Sequence, residues 1–301
     1  MTAVTISAVS DTFGRDLDEC MRKVAWHIEA ARARGVQLLA LPEATLGGYL
    51  QALCQEDDAE PIGDPPLLDQ DGPEIARLVE LAGDMVVCVG YSERDAGHRY
   101  NSAVCVGGGE VLGRHRKVHL PMAEVASYDA GDQFRTFETP IGRIGMLICY
   151  DKAFPESARS LAITGAEVIV CLSAWPMSRT HPSDELATDR WRYRFDLYDE
   201  VRALENQVVW VSANQVGQFG SLTFVGNSKI VNASGKVLAA TDNDPDMAVA
   251  LVDVEEALHV ARRSMNHIRD RRPDAYDAQC LLAGEPAMRQ PFVRVPPART
   301  G

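Results

Sequence analysis

The sequence lacks the patterns that mark membrane, repeat and nucleic-acid-binding proteins. No stretch approaches the roughly 18 uninterrupted apolar residues that a membrane helix needs. No basic and apolar leader stands at the N-terminus, and no unit recurs at a fixed period. Basic residues are outnumbered, because 30 Lys and Arg stand against 43 Asp and Glu and give a net charge of −13 over 301 residues. Such a charge repels phosphate backbones, so neither a nucleic acid nor a membrane is expected as a partner.

Paired cysteines are lacking as well. The seven cysteines are scattered, odd in number and contain no C-x-x-C pair. A disulfide framework or a zinc ribbon is therefore not expected, and the reducing cytoplasm is the predicted compartment. No spaced set of His, Asp and Glu suggests a metal site, so the prediction includes neither a metal nor an organic cofactor.

The sequence does contain a regular alternation of strand and helix patterns. Residues 1–10 alternate like a strand, residues 16–34 place apolar side chains on one helical face, and residues 36–41 form a short apolar strand. This β-α-β opening favours parallel strands. Further strands are predicted at 85–90, 102–106, 110–115, 133–138, 142–148, 168–172, 208–212, 228–232, 237–240 and 248–252, and further helices at 73–81, 155–164 and up to Asn206. No Gly/Ser linker divides the series, which predicts one α/β domain with mixed strand pairing.

The last residues differ in composition from the rest of the chain. Residues 285–301 carry four prolines and three arginines: Pro286, Pro291, Pro296, Pro297, Arg289, Arg294 and Arg299. We therefore predict a single domain over residues 1–284 and a Pro/Arg-rich tail over residues 285–301. Such a tail is either disordered or an extended arm over a partner subunit.

Cys149 has a position that suits a nucleophile. An apolar strand delivers it to a polar turn, and a helix is predicted to start near Pro155. Backbone N–H groups at such a turn can bind an oxyanion. A free cysteine is also often a small buried hydrophobe, and that interpretation suits Cys88, Cys105 and Cys171, which lie inside predicted strands.

A cysteine nucleophile needs a base or a lowered pKa. None of the seven histidines lies in an obvious active-site turn, and His115 and His119 are better interpreted as structural. Glu43 is a candidate base, because it follows a buried strand, and a carboxylate there needs a cationic neighbour. Lys117 ends another predicted strand and is such a cation. Taken singly, Glu43 or Lys117 is more typical of an exposed charge at a strand end.

Five segments, taken together, change this interpretation of Glu43 and Lys117. They are Leu41-Pro42-Glu43, Arg116-Lys117-Val118-His119-Leu120-Pro121, Gly145-x-x-Ile148-Cys149-Tyr150-Asp151-x-x-Phe154-Pro155-Glu156, Arg202-Ala203-Leu204-Glu205-Asn206-Gln207 and Phe224-Val225-Gly226-Asn227-Ser228-Lys229-Ile230. In this order, and over roughly residues 3–253, they resemble the nitrilase superfamily of carbon–nitrogen hydrolases. One such motif would be weak, but five in the right order are hard to attribute to coincidence.

The resemblance implies a four-layer α-β-β-α sandwich and a Glu-Lys-Cys active site. Position by position, it makes Glu43 the general base, Lys117 the oxyanion stabiliser and Cys149 the nucleophile. Many members have a second glutamate a few residues after the lysine, and Glu124 fits that place. The backbone N–H of Tyr150 would complete the oxyanion site. The family also implies a homodimer or a larger homo-oligomer.

The shared residues do not select a substrate, but the residues after Cys149 favour one class. Nitrile-cleaving members usually carry Trp-Glu there, whereas Tyr150-Asp151 is commoner in amidase-type branches. We therefore expect hydrolysis of a small amide, with N-carbamoyl compounds included. A nitrilase is the alternative, and a catalytically silent scaffold is a further one. A papain-like protease is disfavoured because no Cys-His-Asn context is present.

The predicted pocket includes three aromatic side chains and one unusual segment. Trp175 follows the strand that ends near Leu172, while Tyr49 and Tyr128 are further candidates for contact with a small-molecule substrate. Residues 178–200 mix four arginines with four aromatic residues. They predict either a cap in which one arginine binds a substrate carboxylate, or an amphipathic helix whose arginines face solvent. The second interpretation is the one that we favour from the sequence.

Overall fold

The computed structural model describes residues 3–50 and 62–276. Its helices are α1 (Leu17–Ala33), α2 (Pro73–Ala82), α3 (Pro155–Ile163), α4 (Arg190–Asn206) and α5 (Val254–Arg262). Its strands are β1 (Val4–Asp11), β2 (Leu38–Ala40), β3 (Leu68–Asp69), β4 (Val86–Asp95), β5 (His98–Gly107), β6 (Glu110–Arg116), β7 (Thr136–Thr139), β8 (Gly142–Ile148), β9 (Val168–Ser173), β10 (Val209–Phe219), β11 (Leu222–Val225), β12 (Lys229–Val231), β13 (Val237–Ala240) and β14 (Asp246–Val252). None of the described helices is long and apolar enough to cross a membrane.

The strands form one hydrogen-bonded network in the order β6-β5-β4-β2-β1-β10-β9-β8-β7. β1 runs parallel to β2 on one side and to β10 on the other, as the β-α-β opening predicts. Hairpins add the antiparallel pairs β4–β5, β5–β6 and β7–β8. The predicted mixture of parallel and antiparallel pairing is therefore confirmed.

Three hydrophobic cores arrange these elements in four layers. The central core joins side chains from β1, β2, β4 and β5 to side chains from β8, β9 and β10, so the two halves of the strand network face each other. A second core packs the outer face of β1, β2, β4 and β5 against α1 and α2. A third packs β8, β9 and β10 against α3 and α4. This is the predicted α-β-β-α sandwich, because strand side chains alternate between two faces and both faces here are covered.

Some elements were not predicted from the sequence, and others were predicted shorter than they are in the structure. α5 was not predicted, although Asp253 caps it by accepting a hydrogen bond from the Glu256 amide at 3.0 Å. β10 was predicted to end at Ser212, whereas it continues to Phe219 and forms a hairpin with β11. Polar residues and Gly217 obscure that extension, because they interrupt the apolar run that signals a buried strand.

The chain divides into two units, residues 1–268 and residues 269–301. In the second unit, the described residues 269–276 contain a short 3₁₀ turn at Pro273–Ala275, beside an Arg272–Asp274 ion pair of 2.6 Å. The predicted tail at residues 285–301 lies outside the described residues, and the domain boundary at residue 284 stays a prediction.

Candidate active site

Glu43 lies just beyond β2, where the chain passes close to β4. Leu41 continues the pairing by donating its N–H to the Cys88 carbonyl at 2.9 Å. Gly90 permits the close approach, since a Cβ at that position would lie 2.7 Å from the Glu43 Cα. Gln215 holds the Glu43 carbonyl from the β10 side at 2.9 Å. The backbone of Glu43 is thereby fixed from two strands.

The carboxylate of Glu43 is fully buried and has a defined partner on each oxygen. Oε1 accepts hydrogen bonds from Asn101 Nδ2 at 2.7 Å and from Lys117 Nζ at 2.8 Å. Oε2 accepts one from the Ala174 backbone N–H at 2.7 Å. A buried carboxylate needs such partners, because an unpaired charge in the interior is strongly disfavoured.

Lys117 follows the end of β6 and joins two carboxylates. Its Nζ lies 2.8 Å from Glu43 Oε1 and 2.8 Å from Glu124 Oε1, and the side chain is fully buried. Burial alone would lower the pKa of Lys117, but the charges of Glu124 and Glu43 outweigh it and raise that pKa well above its usual value. Lys117 is therefore a permanent cation at neutral pH.

Glu124 lies in a 3₁₀ turn over Met122–Ala126 and uses one oxygen for both of its contacts. Oε1 accepts hydrogen bonds from Lys117 and from the Tyr49 hydroxyl. Oε2 is buried and has no hydrogen-bond partner within residues 3–50 and 62–276. Burial raises the pKa of Glu124 despite the attraction of Lys117.

Cys149 is the first residue of a 3₁₀ turn, Cys149–Ala153, directly after β8. Its φ of 49° is a left-handed conformation that non-glycine residues adopt rarely and at an energetic cost. Burial, with the charge of Glu43 adding to it, raises the pKa of the thiol well above its usual value. The resting cysteine is therefore a neutral thiol, and it needs a base before it can attack.

Asp151 connects the cysteine turn to the segment that carries Lys117. Its Oδ1 accepts the His119 backbone N–H at 2.9 Å, and its Oδ2 accepts the Ile148 backbone N–H at 3.1 Å. Ring nitrogens of His115 and His119 lie 2.9 and 3.0 Å from the same carboxylate. Although burial opposes it, these hydrogen bonds lower the pKa of Asp151. Both histidines are structural, as predicted, but the sequence did not reveal that Asp151 is what they hold.

A cavity of about 550 Å³ opens onto Cys149. Its wall is mostly aromatic and apolar, and consists of Tyr49, Leu120, Pro121, Cys149, Tyr150, Ala153, Phe154, Ala174, Trp175, Pro176, Arg179, Trp191, Arg194, Tyr198 and Leu222. The structure thus brings Tyr49, Tyr150 and Trp175 to the pocket in which the sequence placed them. Cavities of this size usually hold small molecules.

Tyr128 does not line this cavity, in contrast to the prediction. Its ring is buried, and its hydroxyl forms a hydrogen bond of 2.7 Å with Ser92. Burial raises the pKa of Tyr128 to about 12. The sequence could not distinguish this orientation from one toward the pocket, because Tyr128 lies in a loop without periodicity.

The segment 178–200 combines features of both predicted alternatives. Trp191, Phe195 and Tyr198 pack around Trp175 with ring centroids 6.5, 6.1 and 6.1 Å away, as expected of an amphipathic helix. Arg179, Arg190 and Arg194 are exposed, and Arg179 and Arg194 also line the cavity. The favoured prediction is therefore confirmed for the aromatic packing and for the exposure of these three arginines, but it did not place Arg179 and Arg194 at the cavity.

A buried charge network behind the cavity was missed by the sequence reasoning. Lys152 and Lys229 both bind Asp199, with Nζ–Oδ distances of 2.8 and 3.4 Å. Lys152 Nζ also lies 3.2 Å from the centroid of the Phe195 ring. The sequence feature that could have indicated this network is that Lys152 and Lys229 both lie inside the segments that carry the family resemblance.

No group of His, Cys, Asp and Glu side chains in the described part of the chain has the arrangement of a metal site. The site's charged groups are instead one cation between two carboxylates beside a thiol. This set can accept a proton from sulfur and can stabilise a negative oxygen.

The comparisons with known proteins point to one family. The family model described as carbon–nitrogen hydrolase matches residues 6–262. A nitrilase of Pyrococcus abyssi is 33% identical, over 83% of this chain and 89% of that protein. An N-carbamoylputrescine amidase of Arabidopsis thaliana is 28% identical, over 93% and 96%. The crystal structure of a carbon–nitrogen hydrolase from Helicobacter pylori G27 superimposes with a TM-score of 0.79 at 25% identity, covering 93% of this chain and 98% of that one.

Proposed function

Because this chain belongs to the carbon–nitrogen hydrolase family, we propose that it hydrolyses the C–N bond of a small linear amide or N-carbamoyl compound through a thioester on Cys149. One observation carries the proposal. Glu43, Lys117 and Glu124 form a fully buried cluster, and their charges act on the Cys149 thiol at the wall of a cavity large enough for a small molecule.

In the first half-reaction, Glu43 is the general base. It takes the thiol proton as the Cys149 sulfur attacks the carbonyl carbon, and the C=O bond pair moves onto oxygen. The Lys117 ammonium and the Tyr150 backbone N–H stabilise that oxyanion. The C–N bond then breaks as the proton held by Glu43 passes to the leaving nitrogen, which gives ammonia or an amine and leaves an acyl thioester on Cys149.

In the second half-reaction, water replaces the amine. Glu43, assisted by Glu124, removes a proton from a water molecule, which attacks the thioester carbon. The C–S bond breaks, the thiolate regains a proton from Glu43, and the carboxylic acid leaves. Lys117 stays protonated throughout, as its raised pKa requires. Neither half-reaction calls on an added cofactor.

Amide substrates are preferred in this proposal because Tyr150 and Asp151 follow Cys149. The Asp151 carboxylate binds five protein groups and holds the turn, so it is not available to the substrate. A nitrilase remains the alternative function, and the similarity to the Pyrococcus abyssi nitrilase favours it. A silent scaffold is a further alternative, against which the full Glu43, Lys117 and Cys149 set counts.

The test is ammonia release from a panel of amides, N-carbamoyl compounds and nitriles. We expect turnover of amides or N-carbamoyl compounds that Cys149→Ala abolishes. Cys171→Ala is the matched control, because Cys171 is a buried thiol of β9 that does not line the cavity. Turnover of nitriles alone would support the nitrilase alternative. Equal rates in wild type and Cys149→Ala would refute the mechanism.

We also propose that the protein is a cytoplasmic homodimer or larger homo-oligomer, with no nucleic-acid or membrane partner. Tyr193, Leu197 and Leu204 support assembly, since they share one face of α4 and are 66, 42 and 47% exposed. Five unpaired cysteines among the described residues support a reducing compartment. Sedimentation of wild type and Leu197→Glu tests assembly, because a monomeric wild type would contradict it.

A further inference from the structure

The buried charge network behind the cavity is attached to the turn that carries Cys149. Lys152 lies in that 3₁₀ turn and is fully buried. Its Nζ donates a hydrogen bond of 2.8 Å to Asp199 Oδ1 and lies 3.2 Å from the centroid of the Phe195 ring. Asp199 and Phe195 both belong to α4, so the side chain of Lys152 joins the cysteine turn to this helix.

Arg202 makes a second contact between α4 and the turn. Its guanidinium donates hydrogen bonds to the carbonyl of Lys152 at 2.9 Å and to that of Ala153 at 3.1 Å. Phe195, Asp199 and Arg202 follow one another at helical spacing, which places them on one face of α4. The end of the cysteine turn is therefore bound to that face through its backbone and through the Lys152 side chain.

The beginning of the turn is bound to a different part of the fold. The Asp151 carboxylate accepts the backbone N–H groups of His119 at 2.9 Å and of Ile148 at 3.1 Å. Next to these two attachments, Cys149 adopts its left-handed conformation with a φ of 49°. Such a conformation persists only where the surrounding structure imposes it. Loss of either attachment should therefore let the Cys149 backbone relax and turn the N–H of Tyr150 with it.

Lys152 also lies next to the wall of the cavity. Trp175 lines the cavity, and its ring lies 6.1 Å from the Phe195 ring and 5.4 Å from Lys152 Nζ. The residue before it, Ala174, donates its backbone N–H to Glu43 Oε2 at 2.7 Å. Lys152 thus lies between the turn that carries the nucleophile and the segment that binds the base.

Lys229 provides an internal comparison for Lys152. It is 2% exposed, and its Nζ binds Asp199 Oδ2 at 3.4 Å and Asp196 Oδ1 at 2.7 Å. It therefore shares the charge, the burial and the Asp199 partner of Lys152. Lys229 lies on β12, however, and not on the cysteine turn.

We propose that Lys152, bound by Asp199, is a positioning residue that fixes the geometry of the Cys149 nucleophile. The attachment orients the Cys149 sulfur toward the substrate carbonyl and the Tyr150 N–H toward the oxyanion. Lys152 itself touches neither the substrate nor the reacting atoms. A displacement of reacting groups by about 1 Å can slow a reaction about 10²-fold. The inference rests on the proposed function, because the geometry in question is that of amide attack.

Lys152→Met and Lys229→Met form the matched pair of variants. Each removes one buried cation from Asp199, so each should lower the urea midpoint of unfolding. Amide kinetics are measured in the absence of urea on protein whose circular dichroism shows that it is folded. We expect Lys152→Met to lower kcat at least about tenfold while KM changes less than about threefold. We expect Lys229→Met to keep kcat within about threefold of the wild-type value.

The double variant Lys152→Met/Asp199→Asn applies the test even if the single variant does not fold. It removes both charges of the pair, while Lys229 keeps Asp196 and the Asn oxygen can still accept from Trp210 Nε1. The urea midpoint should therefore recover most of its loss. The kcat should stay low, because the side chain at 152 no longer binds α4. A role in stability alone would instead restore kcat together with the midpoint.

A second readout needs no turnover. Iodoacetamide alkylates Cys149 when the sulfur displaces iodide and the thiol proton passes to Glu43, and mass spectrometry identifies the modified residue. The rate of this alkylation should fall at least about threefold in Lys152→Met and in the double variant, but not in Lys229→Met.

The outcomes separate this inference from the function on which it rests. Where amides are turned over, kcat decides. An equal kcat in Lys152→Met and Lys229→Met, or a recovered kcat in the double variant, overturns the inference and leaves the proposed function standing. Absence of amide turnover by the wild type overturns the proposed function, and the alkylation rates then decide. Equal alkylation of the wild type and the double variant would in that case overturn the inference as well.

Discussion

The charged side chains at the bottom of the cavity differ in burial and pairing from those in its outer part. At the bottom, the charges of Glu43, Lys117 and Glu124 are fully buried and bound to one another. In the outer part, Arg179 and Arg194 line the cavity and are exposed. Buried charges are costly unless they are paired, so the bottom must be fixed in the folded protein. An exposed arginine costs little, so the outer part can be adapted to a substrate without loss of the fold.

The largest effect is expected from a substitution of Glu43, at the bottom of the cavity. Glu43→Gln retains the size of the side chain but removes the base, so we expect kcat on every substrate to fall by about 10³-fold. The amide oxygen still accepts hydrogen bonds from Asn101 and Lys117, but the amide nitrogen faces the Ala174 N–H, so the free energy of unfolding is also expected to fall. Steady-state kinetics on a neutral amide, with denaturant unfolding of the same sample, measures both.

The result for Glu43→Gln is compared with the result for a substitution in the outer part, Arg194→Gln. If Arg194→Gln abolished turnover of the amides that Glu43→Gln slows, then the bottom and the outer part would not have separate roles. Arg192→Gln supplies the unaffected reference, because Arg192 lies on the same helix but does not line the cavity.

The next effect concerns Asp151, which connects the cysteine turn to the segment that carries Lys117. Asp151 has a lowered pKa, so it contributes stability above the ordinary value of 3.8, and that stability is lost as pH falls through the folded-state pKa. Asp151→Asn should therefore lower the free energy of unfolding by about 3 kcal/mol at pH 7 and by less at pH 3. Urea unfolding at several pH values tests this, and an equal loss at both would contradict it.

The bottom of the cavity was largely predictable from the sequence, whereas the outer part was not. Glu43, Lys117 and Cys149 lie at strand ends in recognisable motifs, and parallel strands bring their carboxyl ends to one edge. Trp175 was found for the same reason, because it follows the end of β9. Tyr128, Arg179 and Arg194 lie outside such motifs, and only the packing of α4 against Trp175 decides where an arginine points. Asp151 was visible in a motif, but the five groups that bind it come from residues 115–119 and 148, which no local pattern connects.

A smaller effect is expected from Tyr49, which touches both parts. Its hydroxyl donates to Glu124, and that hydrogen bond favours the charged carboxylate. Tyr49→Phe should therefore raise the pKa of Glu124 further, move the acidic limb of the pH–rate profile to higher pH and lower kcat about tenfold. Tyr128→Phe is the matched control, because its hydroxyl binds Ser92 instead. Identical profiles for the two variants would show that Tyr49 acts only through packing.

In the proposed mechanism, Cys149 carries the acyl group during turnover. The most direct measurement is mass spectrometry of peptides from enzyme that is acid-quenched while it hydrolyses an amide. We expect an acyl group, equal in mass to the substrate without its leaving amine, on the peptide that contains Cys149, and none in Cys149→Ala. An acyl group on any other residue, or undiminished turnover by Cys149→Ala, would contradict it.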